Sequence, residues 1–370
     1  MTHRILTTHA GALPRPAGLD TAGGLRSSVA EVVRRQAEIG LDIVDDGEFG
    51  KSSWTGYLSE RLGGFQPRPL DPAAVPLVRG AEWRTFGDFY GEASRSGTLW
   101  YSSAAQVMSP TAPMEWVCTG PIEYIGTSVL ERDIANFRAA LEGKDVAGFL
   151  PVAAPASIEP GRRNEHYATE EEYLFAIASA MGVEYRTIVD AGLSVQLDDA
   201  WLPALWDRIG AQLGRERYRD YCMLRIDALN HALGGIPEER VRYHICWGSW
   251  HGPHVNDVPF ADIVDLVLKV NAGSYLFEAG NVRHEHEYHL WESIELPAGK
   301  TLVPGVVSHA TNVVEHPDLV AERLQRYVDR VGFERVQAGT DCGLGGRVHP
   351  QIAWAKLEAL VEGARRVRPR

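Results

Sequence analysis

The stretch Val241-Arg-Tyr-His-Ile-Cys-Trp-Gly-Ser-Trp-His-Gly-Pro-His254 joins a short β-type run to an H-x-C pair and a Gly/Pro turn bearing two more histidines. Alternate side chains of a strand share a face, so His244 and Cys246 can reach one metal ion together. Glu278, in Phe277-Glu-Ala-Gly-Asn281, and Cys342, in Gly339-Thr-Asp-Cys-Gly-Leu344, each lie just past another β-type run. Nitrogen, sulfur and oxygen donors of this kind suit Zn²⁺. Taken alone, the same residues fit equally well as two buried cysteines, a core histidine and a capping glutamate.

Working outward, the same rhythm of strand, loop and helix recurs along the chain. Residues 3–16 read as a strand entering the loop Thr8-His-Ala-Gly-Ala-Leu-Pro-Arg-Pro16, and 28–39 has helical spacing that closes on Gly40 as a C-cap. Further strands are expected at 41–44, 148–154, 193–197, 241–246, 274–277, 302–307 and 335–338, with a long helix over 170–191. Eight strands alternating with helices predict an α/β chain folded as a (β/α)₈ TIM barrel. Residues 1–370 are expected to form this single catalytic barrel. An insertion at about 52–146, between the second and third strands, interrupts it with Gly, Ser and aromatic residues and a hairpin near 114–124. Barrel active sites lie at the carboxyl ends of the strands. His9, Glu48, Asp198, His244, Cys246, Glu278, His309 and Cys342 all fall at such ends.

Composition narrows the partners. The 370 residues are 45% hydrophobic and 23% charged, as expected of a globular chain with a sizeable core. A formal charge of -12, with no basic run before Arg365-Arg-Val-Arg-Pro-Arg370, argues against nucleic acid or an anionic membrane surface and leaves a small-molecule substrate. The N-terminus has no apolar signal region, and four cysteines make no disulfide framework, so a cytoplasmic location is expected. Neither a P-loop nor a dinucleotide-binding glycine motif occurs, which removes ATP and NAD as expected cofactors.

The blocks Thr8-His-Ala-Gly-Ala-Leu-Pro14, Asp46-Gly-Glu48, Ala191-Gly-Leu-Ser-Val-Gln-Leu-Asp198, His244-Ile-Cys246, Phe277-Glu278, Pro304-Gly305 with His309, and Thr340-Asp-Cys-Gly-Leu344 follow one another in order. In this they resemble the catalytic barrel of the cobalamin-independent methionine synthase family, over nearly the whole chain. Cys246-Trp-Gly-Ser-Trp-His-Gly-Pro-His254 and Arg283-His-Glu-His-Glu287 look like the stand-alone members, a branch that also contains the epoxyalkane:coenzyme M transferases. The resemblance implies a barrel of the uroporphyrinogen-decarboxylase and methionine-synthase type, with Zn²⁺ held by His244, Cys246, Glu278 and Cys342. It implies methyl transfer to a thiol, by default homocysteine to methionine, in which a zinc-bound thiolate displaces the leaving group. Glu48 and Asp198 would hold the substrate ammonium, and His309 would protonate the leaving group. His9 and Trp247 line the expected substrate site. A free thiol has a pKa near 8.5, so metal binding is what makes it a nucleophile at neutral pH.

Alternatives from other classes remain: an epoxide–thiol transferase, a lyase on the related decarboxylase-type barrel, or a binding protein that keeps the metal site. Ala12 departs from the family's serine in this block, which loosens the expectation of an amino-acid thiol. The expected partners are a small-molecule thiol and an alkyl donor, folate or corrinoid. The chain is compatible with a homo-oligomer. His251, His254, His284, His286 and His289 form two histidine-rich loops whose role the sequence leaves open.

Overall fold

The computed structural model describes residues 4–19, 21, 23–70, 79–99 and 114–369. Parts of the expected insertion, 71–78 and 100–113, lie outside the described residues. Numbered along the chain, the strands are β1 (Leu6–Thr7), β2 (Ile43–Val44), β3 (Phe65–Pro69), β4 (Met114–Cys118), β5 (Ala147–Ala153), β6 (Arg162–Asn164), β7 (Ser194–Asp199), β8 (Val241–Ile245), β9 (Ser274–Glu278), β10 (Thr301–Val307) and β11 (Gln337–Thr340). Eight of them make one sheet in the order β1, β11, β10, β9, β8, β7, β5, β2, each neighbouring pair parallel.

The ends of that order meet through Asp42. Its main-chain N–H donates to Thr7 O (3.1 Å), and its carboxylate accepts from the Thr7 N–H (2.8 Å) and hydroxyl (2.9 Å). Thr8 Oγ1 adds a bond to Ile43 O (3.1 Å). The sheet thus curls into the expected (β/α)₈ TIM barrel, with its two shortest strands side by side at the seam.

Helices follow the strands as the periodicity predicts. The first, Gly24–Ile39, buries Val29, Val32 and Val33 and ends at Gly40, whose φ of 95° only glycine adopts readily. Glu170–Asp190 begins with a reciprocal capping box between Thr169 and Glu172. Thr127–Leu141, Ala211–Ala232, Pro317–Val331 and Pro350–Arg366 complete the main outer layer. One large apolar cluster runs from the strands into these helices.

Residues 114–118 do not fold back on 119–124 as a hairpin. Instead β4 pairs antiparallel with β3 and parallel with β6, making a small three-stranded sheet beside the barrel. The described segment 79–99 packs over the loop after β8. Trp250 Nε1 donates to Tyr90 Oη (3.2 Å), the Val255 N–H to Glu82 (2.6 Å) and the His251 N–H to Leu99 O (2.8 Å).

Register carries the polar residues to one rim. Asp198 on β7 lies opposite His244 on β8, and Gly305 on β10 opposite Glu278 on β9. A Cβ on Gly305 would sit 2.2 Å from the Asp341 Cα, so glycine is required for the chain after β11 to lie against β10. Among the described residues, no helix is long and apolar enough to cross a membrane.

Candidate metal centre and active site

His244 is the fourth residue of β8, and Cys246 follows two positions later on the same face. Cys342 comes two residues after β11, on the loop that Gly305 draws inward. One donor atom from each of the three lies within 4.8 Å of the others, and all three residues are buried. All four cysteines of the chain are free thiols.

The two site thiols act on each other in opposite directions. The hydrogen bond between them, with burial, pushes Cys246 well above the ordinary thiol range. The same bond holds Cys342 well below it, against burial and with help from Arg347, His309 and His244. Ser249 Oγ also lies 3.5 Å from Cys342 Sγ. Two cysteine sulfurs beside an imidazole make a soft pocket, the donor set that borderline metals take.

Asp198 reaches His244 rather than open solvent: its Oδ1 lies 2.9 Å from Nδ1 of the ring and also accepts from Gln196 Nε2 (2.9 Å). Burial works against a charged ring, but this carboxylate raises the His244 pKa to about 9. Burial in turn raises Asp198, with the His244 bond opposing it. A carboxylate on one imidazole nitrogen fixes the ring, the usual outer support of a metal-binding histidine, and the other nitrogen lies 3.3 Å from the Asp341 carbonyl oxygen, next to Cys342 in the chain.

Glu278 stands beside the three donors but outside their group. Its Oε1 accepts from the Trp247 main-chain N–H (2.8 Å), and its Oε2 takes the Asn281 amide. Burial raises its pKa, with His284 opposing.

His309 is buried, and its Nδ1 lies 2.8 Å from Asp341 Oδ1, the oxygen that also accepts the His309 main-chain N–H (2.7 Å). Burial disfavours the imidazolium, yet the Asp341 charge outweighs it and raises the pKa. Glu48 takes a left-handed φ of 59°, rare for a residue with a side chain. Its carboxylate accepts from the Ala12 N–H (2.8 Å) and from Lys51 Nζ (3.1 Å). At position 12, where Ala stands in place of the family's serine, it is the main-chain N–H that meets Glu48.

Two residues read from sequence as substrate contacts are turned into the protein. His9 is 1% exposed, with Nδ1 2.9 Å from Gly11 O and Nε2 2.8 Å from Gln36 Oε1. Trp247 donates through Nε1 to Val258 O (2.7 Å) and stacks on His284 at 3.9 Å. The histidine-rich loops pair internally as well. His254 lies 3.1 Å from Asp257, and His284 lies 3.2 Å from Asp257 and 2.8 Å from Glu287. Among the described residues, His244, Cys246 and Cys342 are the one group with metal-ligand closeness.

Residues 15–150 match the sequence model described as the catalytic domain of cobalamin-independent synthases. A methionine synthase of Thermococcus kodakarensis is 24% identical over 352 residues, 94% of this chain and 84% of that protein. That of Sulfolobus acidocaldarius is also 24% identical, across 98% of this chain and 92% of its own. The chain thus resembles the cobalamin-independent methionine synthases, at 24% identity over nearly its whole length. The fold agrees: a B12-independent methionine synthase from a Shewanella species, solved with selenomethionine, superposes with a TM-score of 0.71. That match has 18% identity and covers 98% of this chain and 97% of the other.

Three residues of the site escaped the family motifs as they were read. Asp341 sits inside the quoted block with Cys342, but only the folded register aims it at His309. Asn281 closes the Phe277-to-Asn281 block and reaches both Glu278 and Asp341. Lys51 is mostly buried against Glu48 and over the Tyr57 ring at 4.7 Å.

Proposed function

We propose that this chain transfers an alkyl group, by default methyl, to a thiol, with homocysteine as acceptor and methionine as product, at a zinc site held by His244, Cys246, Cys342 and Glu278. The observation that carries the reading is the convergence of one imidazole and two thiols within 4.8 Å at the mouth of the barrel. The donor set fits Zn²⁺: two sulfurs and a nitrogen already together, and a carboxylate alongside. When bound, the ion would supply Lewis-acid chemistry, lowering the proton affinity of a substrate thiol into the neutral range.

The chain's own residues do the rest. Asp198 orients His244 through Nδ1. Glu48 and Asp198 lie close enough for the Glu48 charge to act on Asp198, and together they form an anionic wall suited to a substrate ammonium. The methyl carbon leaves its donor atom and bonds to sulfur, and the donor atom takes a proton from His309. Because Asp341 occupies Nδ1, the proton that is given is the one on Nε2. His244, Cys246, Cys342, Glu278 and His309 are buried, which limits the access of water as a competing nucleophile.

The test is product formation. Zinc-loaded protein is incubated with homocysteine and, separately, methyltetrahydrofolate or methylcobalamin, and methionine is followed by mass spectrometry. Methionine from either donor, abolished in Cys246→Ser, is the expected result. No methionine from either donor would overturn the assignment of this acceptor and reaction.

A further inference from the structure

The loop after β10 carries His309 and then runs through exposed residues, 310–314, before the helix Pro317–Val331 begins. Val313 in this stretch is 70% exposed. Glu315 dips back into the protein. Its Oε1 accepts the Ser308 main-chain N–H (2.9 Å), and its Oε2 accepts from Lys356 Nζ (2.8 Å). The same ammonium donates to Val313 O (2.5 Å). Lys356 lies on the helix Pro350–Arg366 with 0% exposure, and Glu315 is buried as well. That helix is closely seated. A Cβ on Gly363 would sit 2.5 Å from Val320, so the two last helices pack without a side chain between them at this point.

Taking both charges out of water costs several kcal/mol per ion, and apolar side chains of the same size fill such a space at least as stably. A buried ion pair is therefore weak evidence of a stabilising role. What this pair does that leucine and methionine could not is hold main-chain groups on both sides of an exposed loop. It ties Ser308, the residue before His309, and Val313, four residues after it, to one point on a fixed helix.

We propose that Glu315 and Lys356 are positioning residues that clasp the loop after β10 and hold the His309 ring in place for proton delivery. The inference rests on the proton-donor reading of His309 above and adds to it the residues that set where the ring stands. Asp341 fixes the ring from one side, at Nδ1 and at the His309 main-chain N–H. The clasp fixes the main chain that presents the ring, through Ser308. A displacement of about 1 Å at a reacting group can cost roughly 100-fold in rate, so a loop with this much exposed chain needs such a fastening.

Glu315→Leu/Lys356→Met replaces the pair by apolar side chains of similar length. Removing one partner alone would strand a buried charge, so the double variant is the one expected to fold. Zinc-loaded protein carrying ¹⁵N-histidine gives the first readout, solvent exchange of the His309 Nδ1–H, assigned by its loss in His309→Asn. Wild type is expected to protect this proton through Asp341, and the double variant to exchange it about tenfold faster or more. The second readout is methionine formation from homocysteine and the methyl donor that wild type uses. The double variant is expected to lower kcat by about 10- to 100-fold and to leave the homocysteine KM within about twofold. If it does not fold, Glu315→Gln/Lys356→Met serves. It keeps an acceptor for Ser308 and frees Val313, and is expected to speed exchange roughly fivefold, the worth of one ordinary hydrogen bond.

A wild-type ring without protection, or a folded variant that protects it as well as wild type, would overturn the proposal. So would an unchanged kcat, or a rise in KM as large as the fall in kcat, which would mark the pair as general scaffolding. Failure of the underlying reading is a different result, in which wild type makes no methionine or His309→Asn keeps the full rate; that result overturns both.

Discussion

Asp341 shows how one side chain can set the chemistry of its neighbour. Its Oδ1 accepts from both the main chain and the ring of His309, fixing the rotamer and favouring the protonated ring. Replacing it by Asn keeps the shape but removes the charge. Asp341→Asn is expected to lower kcat by about 10- to 100-fold with little change in KM, the usual cost of losing an orienting carboxylate. The sign of the pH effect follows from the raised pKa. A general acid works while protonated, below its pKa, so loss of Asp341 moves the alkaline limb of the rate profile to lower pH. Asp341→Glu should recover part of the rate. A profile unchanged in Asp341→Asn would remove His309 from the proton-transfer step.

At the scale of elements, the loop after β1 and the helix Gly24–Ile39 are locked by His9 and Gln36. Gln36 completes the lock through Asp45, donating to its carbonyl (2.8 Å) and accepting its N–H (3.1 Å). Burial, with the nearby Arg242 charge, lowers the His9 pKa from 6.5 to about 4. The folded value lies below the unfolded one, so the neutral ring belongs to the native state. Its contribution is complete above about 6.5 and is lost as pH falls through about 4, a span worth roughly 3 kcal/mol for a buried group. Urea midpoints measured between those pH values should fall in wild type and fall less steeply in His9→Gln. Equal slopes would show that other groups carry the acid sensitivity.

The same element explains what the sequence could convey. Period and motif order located the eight strands, the helices expected over 28–39 and 170–191, and the strand-end positions of His244, Cys246, Glu278 and Cys342. They could not say which way a rim side chain turns. His9 and Trp247 sit at strand ends as His244 and Cys246 do, but Gln36 and Val258 draw them inward. Asp341 was legible as a letter in a quoted block and not as a contact, because its partner His309 lies in the loop after another strand. The turn after β4 was misjudged for a similar reason. Met114–Cys118 has its antiparallel partner in Phe65–Pro69, far upstream, and nothing local announces that pairing.

For the whole molecule, the barrel is closed where its strands are shortest. Asp42 carries the seam through Thr7, and an ion pair with Arg4 adds to it. Hydrogen bonds to a charged group contribute about 1.5–3 kcal/mol each, so Asp42→Ala should lower unfolding free energy by about 2–4 kcal/mol. A loss below about 0.5 kcal/mol in urea titration, the range of ordinary surface substitutions, would mean that the seam is held by packing alone. The closed barrel is what brings loops after β8, β9, β10 and β11 to one mouth, and the central claim is that they meet around a metal ion that receives a thiol. Its most direct test is zinc per chain by elemental analysis in wild type, Cys246→Ser and Cys342→Ser, with zinc-edge X-ray absorption recorded with and without homocysteine. The account predicts one zinc in wild type, its loss in both variants and a new sulfur neighbour when homocysteine is added. Folded wild-type protein that binds no zinc, or zinc retained in both serine variants, would contradict it.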